Sequence, residues 1–308
     1  MDIYRYVGSN KFEVENGKLR SVHTGNGNNV WGLGCDGSVW RRLVNTQDAC
    51  TDKDFTKNAL LCANLSSIVY DLSEKIEERL RNMGLTIKTY LKGGVGVEDS
   101  FGFLAHNSNA IVIAFRGTRS WKDIFADVDL LMTDFYTEKS YSNIRVHRGF
   151  ARYYNALKSQ IFGIVDTLIA EMGGPEKVEH IYVTGHSLGG AMAVLCSVDL
   201  TNYIVEHYGP RCANFLQCLT YGAPPVGNVE FRQYWITLQT AMRGYHFQDP
   251  SDGVCHGDAS IIHSLPINLF TLGYNHVPSA IRLRIGEGHR ILNYIDVLKE
   301  LVAPCTSP

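Results

Sequence analysis

Fifteen residues constrain this chain more than any others. An apolar run, Ile181-Tyr182-Val183-Thr184, leads into Gly185-His186-Ser187-Leu188-Gly189-Gly190, and a helical run, Ala191-Met192-Ala193-Val194-Leu195, follows. The pattern G-x-S-x-G is weak by itself, because a chain with 29 glycines can contain it by accident. The setting gives it weight: a buried strand must turn within a few residues into a helix, with a serine at the turn. Such a turn is strained, and its flanking positions must be small so that neighbouring backbone can approach; Gly185 and Gly189 meet that need. The serine then sits at a helix N-terminus, where free N–H groups and the helix dipole favour negative charge.

The remainder of the chain fits around that unit. Ala110-Ile111-Val112-Ile113-Ala114-Phe115 is a near-continuous apolar run, the pattern of a strand covered on both faces. Further strands are expected at 86–92 and 97–106, joined through Gly93-Gly94, and at 178–184, 215–221, 243–247 and 281–285. Helices are expected at 151–172, 187–203 and 291–301, and as a pair within 51–83, where Ala59, Leu60, Ala63, Ile68 and Leu72 supply an apolar face. Strands alternating with helices imply right-handed crossovers: an α/β fold with a mainly parallel central sheet flanked by helices. Residues 51–308 form that domain in this reading. Residues 1–50 are a β-rich extension, with a hairpin expected around Asp36-Gly37 in 30–42. That hairpin resembles one repeat of a tectonin-type propeller, but a single repeat cannot close a propeller.

Bulk properties narrow the partners. Charged residues make up 19% of the chain and the formal net charge is -2, without a long basic run, which argues against nucleic acid. The first 20 residues lack the apolar core of a secretory signal, and no apolar stretch approaches the roughly 20 residues of a membrane span. None of the eight cysteines forms a CxxC pair, so no metal site is expected. Cys196 and Cys218, in apolar segments, are expected as buried thiols; Cys35, Cys50, Cys255 and Cys305 lie in loop-like sequence and could pair. With no signal visible, the expectation is a reducing, cytoplasmic setting.

A serine hydroxyl becomes a nucleophile only with a base in hydrogen-bond reach, a group that orients the base, and donors for the oxyanion. In α/β-hydrolases the chain order is serine, acid, histidine, which confines the search to residues after Ser187. Several separated blocks resemble the class 3 lipase family, which includes secreted fungal triacylglycerol lipases. Ile113-Ala114-Phe115-Arg116-Gly117-Thr118 resembles its strand ending in F-R-G-[ST], and Trp121–Asp127 falls where its lid helix begins. Val146-His147-Arg148-Gly149-Phe150 resembles V-H-x-G-F, and Tyr221–Asn228 resembles the strand-end G-x-P-x-V-G-N. The similarity runs from about residue 55 to 305.

The resemblance implies roles. Ser187 is the expected nucleophile, with Leu188 and Thr118 as oxyanion donors and Asp127 holding the Thr118 hydroxyl. His186 and His147 are expected in supporting positions. Asp249, directly after a strand, is the expected acid where the family carries D-x-V-P; Asp252 is the alternative, since the V-P does not follow Asp249. His289, in a late H-x-x-x-Y-like block before a helix, is the expected base, with His276 the alternative; His256 and His263 lie in an enlarged loop. Trp121, Ile124 and Phe125, with Val128, Leu131 and Met132, follow helical spacing and are candidates for a lid over an acyl groove. The implied activity is hydrolysis of acylglycerol-type lipid esters through an acyl-enzyme, without cofactor or metal, with a lipid–water interface as a candidate setting. A short-chain or aromatic-acyl esterase of the same fold, and an inert ligand-binding protein, are the alternatives.

Overall fold

The computed structural model describes residues 11–15, 18–22, 49–93, 100–117, 131–136, 143–239, 241–249, 252–255, 273–277, 280–283, 285 and 288–302. A nine-stranded sheet runs through them. Its strands are β1 (Lys11–Glu15), β2 (Lys18–Val22), β3 (Thr86–Lys92), β4 (Ser100–His106), β5 (Ala110–Phe115), β8 (His180–His186), β9 (Leu216–Tyr221), β10 (Arg243–Gln248) and β11 (Ala280–Leu283). A separate two-stranded ribbon pairs β6 (Met132–Asp134) with β7 (Arg145–His147). The large sheet has the order β2-β1-β11-β10-β9-β8-β5-β4-β3. Every pair from β5 to β1 along that order is parallel, and only the hairpin β1/β2 and the meander β3-β4-β5 are antiparallel.

The period-2 alternation of β5 explains its continuous apolar run. Ile111, Ile113 and Phe115 face one core and Ala110, Val112 and Ala114 the other, and all six are buried. The first core lies under helices α3 (Arg148–Glu171) and α4 (Leu188–Tyr208). Helix α3 supplies Phe150, Tyr154, Leu157, Ile161, Val165 and Leu168, spaced three or four apart as one helical face requires. The second core lies under α1 (Ala49–Ile68), α2 (Ser73–Asn82) and α7 (Ile291–Val302). Two shorter helices, α5 (Pro210–Ala213) and α6 (Val229–Leu238), complete the described set. Asn228 caps α6 by accepting from the Phe231 N–H at 3.0 Å.

Several expectations change. Within the β-rich extension, residues 11–15 and 18–22 form strands that the sequence reading did not place, and β1 extends the main sheet by parallel pairing with β11. The hairpin expected at 30–42 lies outside the described residues. Leu72 does not join an apolar face: it is the residue before α2 and is 68% exposed, while Ile76 and Leu80 carry that helix's burial. Met132 opens β6 rather than continuing a helical stripe. Helix α4 is long and apolar enough to cross a membrane, contrary to the sequence reading, but 83% of its apolar window is buried inside the fold. That burial on nearly all sides is why its sequence carries no polar face.

Candidate active site

Strand β8 ends at His186 and α4 begins at Leu188, so Ser187 alone makes the turn. Its backbone sits at φ 59° and ψ -129°, and it is the one described non-glycine residue with positive φ. Holding a serine there costs about 1–3 kcal/mol, which the surrounding packing must offset. The packing is visible in the glycines. A Cβ on Gly185 would run into the Gly189 carbonyl, one on Gly189 into the Phe115 carbonyl, and one on Gly190 would come within 2.6 Å of the Ala223 Cβ. The strand ends and the first turn of α4 are therefore in backbone contact around Ser187. The Ser187 N–H donates to the Tyr221 carbonyl at 2.9 Å, and the Ser187 carbonyl accepts from Gly190 and Ala191. Leu188, the first helical residue, presents a backbone N–H that no residue of its own helix can accept.

His289 and Asp252 meet beside the strand ends that hold Ser187. His289 Nδ1 donates to Asp252 Oδ2 at 2.5 Å, both largely buried. The imidazole packs against the His186 ring at 4.5 Å and against Gly222, where a Cβ would come within 2.9 Å of His289 Cε1. Gly222 follows Tyr221, whose carbonyl holds the Ser187 amide, so His289 and Ser187 share one strand end. The left-handed φ of 56° at Gly222 completes that close approach.

The carboxylate bonded to His289 is that of Asp252, the alternative of the sequence reading. Asp249, placed first by sequence, accepts from the Ile285 N–H at 2.6 Å and ties the end of β10 to the segment after β11. Its carbonyl accepts from the Asp252 N–H, closing a turn that carries Asp252 up to His289. Asp252 Oδ1 then accepts from the Val254 N–H at 3.0 Å, and Oδ2 takes the thiol of Cys255 at 3.5 Å as well as His289. The signal was present in the sequence. Asp252-Gly253-Val254 is the D-x-V of the family segment, displaced by three residues, with Cys255 where the family has proline. Cys255 is a buried free thiol whose sulfur also lies 3.8 Å from the Tyr294 hydroxyl on α7. Cys196 and Cys218 are buried free thiols, as their apolar context indicated.

Other expected residues fall as follows. His276 bonds the Cys255 carbonyl through Nε2, and its ring is 5.0 Å from that of His246. His147 caps α3 by accepting from the Phe150 N–H at 3.4 Å and stacks on the Phe150 ring at 4.0 Å. His186 is bonded through Nδ1 to the Tyr70 hydroxyl at 3.1 Å. Thr118, Trp121, Ile124, Phe125, Asp127, Val128, His256 and His263 lie outside the described residues. Leu131, the described end of the lid stripe, is 60% exposed. Among the described residues, no group of three or more His, Cys, Asp or Glu side chains gathers as metal ligands do.

Three buried histidines make acid stability predictable. Burial lowers the pKa of His147 to about 4. It also lowers those of His186 and His246, with the neighbouring His289 and His276 adding to the effect. The unfolded chain titrates near pH 6.5, so below that value it takes up protons the fold refuses. Stability is therefore full above about pH 6.5 and falls as pH drops, by about 1.4 kcal/mol per unit for each histidine. For His147 the fall ends near pH 4. Urea midpoints at pH 7.5 and 5 measure it. His147→Asn, which keeps a helix cap, should make the fall shallower; an unchanged slope would show that His147 does not contribute.

The class 3 lipase family model matches residues 112–256. A Rhizopus niveus lipase is 31% identical over 141 residues, covering 45% of this chain and 33% of that protein. A Penicillium cyclopium protein named secreted mono- and diacylglycerol lipase A is 27% identical over 183 residues, covering 59% of this chain and 51% of its own length. The chain thus spans a third to a half of the length of these curated relatives. The cytoplasmic expectation finds no support among them. The solved lipase from Rhizopus microsporus var. chinensis superposes with a TM-score of 0.56 at 23% identity, covering 78% of this chain and 77% of that one. That likeness concerns the fold, and it is the α/β-hydrolase fold with its mainly parallel sheet and flanking helices. The strand–serine–helix turn and the F-R-G strand end both fall within the residues 112–256 that the class 3 lipase family model matches, so it is this central part of the chain that is similar to that family.

Proposed function

We propose that this chain is a serine hydrolase of lipid esters, acting on acylglycerol-type substrates through Ser187, His289 and Asp252. The observation that carries the proposal is the pairing of His289 with Asp252 at 2.5 Å beside a serine held at φ 59° on a strand–helix turn. In the proposed reaction His289 Nε2 accepts the Ser187 proton as Oγ attacks the ester carbonyl. Asp252, bonded to Nδ1, keeps the ring in the tautomer with Nε2 open and stabilises the imidazolium. The Leu188 N–H at the start of α4, joined by Thr118, stabilises the oxyanion, each such donor being worth about 3–4 kcal/mol. His289 then protonates the leaving alcohol. Water, activated by the same ring, releases the acid and restores the serine.

Two observations favour a lipid-like ester over a small polar one. The relatives carry lipase names. Leu292, three residues past His289 on the first turn of α7, is a large apolar side chain left 57% exposed. The test is rate against acyl length for a series of glycerol and p-nitrophenyl esters, below and above their solubility limits. The proposal expects activity to hold or rise from short to long chains and to increase at the interface. A steep fall with acyl length would make the chain a short-chain esterase instead, and no hydrolysis of any ester would favour a binding protein.

A further inference from the structure

One hydroxyl stands between the two halves of this site. Tyr70 follows the last turn of α1, and its ring reaches the top of the sheet beside His186, with the centroids 6.1 Å apart. The Tyr70 hydroxyl bonds His186 Nδ1 at 3.1 Å. The same oxygen accepts a backbone hydrogen bond from Gly117. It lies so close to the Gly117 Cα that a Cβ there would collide with it. Gly117 in turn packs on the turn itself: the same Cβ would lie 2.7 Å from the His186 carbonyl and 3.3 Å from the Ser187 Cβ. His186 is the residue before the nucleophile, and Gly117 is the residue before Thr118. The partners come from three separate elements: α1, the end of β5 and the end of β8.

We propose that Tyr70 is a positioning residue for the reaction, its hydroxyl fixing the backbone of Gly117 and the ring of His186 at one point and thereby setting the spacing between Ser187 and the oxyanion loop. The proposal rests on the reading of Ser187 as nucleophile. The physical reason is that oxyanion stabilisation depends on donors held at hydrogen-bond distance from where charge develops, not from the ground-state carbonyl. Gly117, the residue before Thr118, has no side chain with which to hold its own backbone. An anchor on that backbone supplies the restraint. His186 gains the same anchor: a buried neutral imidazole that is itself packed on the base at 4.5 Å. A shift of His186 would carry both its own backbone, which leads into Ser187, and the surface on which His289 rests. Tyr70 touches neither the serine oxygen nor a substrate in this account, and it acts through the two groups it holds.

The test compares wild type, Tyr70→Phe and Ser187→Ala on one soluble ester. Each is measured for kcat, KM, Tm and the rate of inactivation by an organophosphonate ester, whose phosphoryl oxygen also needs the oxyanion donors. Phenylalanine keeps the ring and its packing and removes only the hydroxyl. The expected result for Tyr70→Phe is a kcat about 10- to 100-fold lower, KM within about twofold, phosphonate inactivation slowed in parallel and Tm within about 3 °C of wild type. Retention of kcat within twofold would overturn the positioning role. So would a loss of kcat that follows Tm, with inactivation of the folded fraction unchanged, since that is the mark of a stabilising residue only. Ser187→Ala separates the two claims. Full activity in that variant would overturn the nucleophile assignment itself, whereas an inactive Ser187→Ala beside a fully active Tyr70→Phe would overturn only the role of the tyrosine.

Discussion

Asp252→Asn should lower kcat by about 10⁴-fold while leaving the fold intact. The asparagine side chain is the same size and can still accept from the Val254 N–H, so the turn from Asp249 is preserved. What is lost is the carboxylate at His289 Nδ1. An amide there can present its NH₂ to the ring, which selects the tautomer with the proton on Nε2 and removes the base from the serine. Asp249→Asn makes the contrast. Its carboxylate holds a backbone N–H, that of Ile285, and an amide oxygen can do the same at some cost in strength. The expected effect is a kcat within about tenfold of wild type and a stability loss of about 1 kcal/mol, read from urea midpoints. If Asp249→Asn silenced the protein and Asp252→Asn did not, the assignment of the acid would be reversed.

Ser187→Ala should remove at least about 10³-fold of kcat on any ester the wild type hydrolyses, and up to about 10⁶-fold. The residual rate comes from donors and binding that the substitution leaves in place. The variant is also expected to fold at least as well as wild type. The positive φ at 187 is imposed by the strand–helix turn and by Gly185 and Gly189, not by the hydroxyl. No hydrogen bond from the hydroxyl is needed for that geometry, because the Ser187 amide and carbonyl carry the local bonds. Loss of activity with an unchanged Tm is thus the expected pair of results, and a large fall in Tm would give the serine a structural part.

The elements that were plain in the sequence are those whose pattern is dictated locally. The apolar run of β5 needed cover on both faces and has it. The glycines around Ser187 needed close backbone, and each meets a carbonyl or a neighbouring Cβ. Other features are set by less local contacts. Asp249 and Asp252 are three residues apart in a loop, both buried, and both able to follow a strand. Which one meets His289 depends on a turn set by backbone bonds between them, and on a helix that arrives 37 residues later. The one local signal is the D-x-V spacing of Asp252-Gly253-Val254, and Cys255 in place of the expected proline masked it. Strands β1 and β2 were missed for a related reason. Lys11–Glu15 and Lys18–Val22 read as polar, and their membership of the sheet comes from pairing with β11, some 270 residues away. Tyr70 carried no sequence signal at all, since its hydroxyl matters only where α1, β5 and β8 converge.

The most direct test of the central claim is covalent. The protein is treated with an organophosphonate ester and digested, and the modified residue is located by mass spectrometry. The account predicts one adduct per chain, on Ser187, forming in step with loss of hydrolysis, absent in Ser187→Ala and slowed in Asp252→Asn. An adduct on another residue, or inactivation that proceeds in Ser187→Ala as it does in wild type, would contradict it.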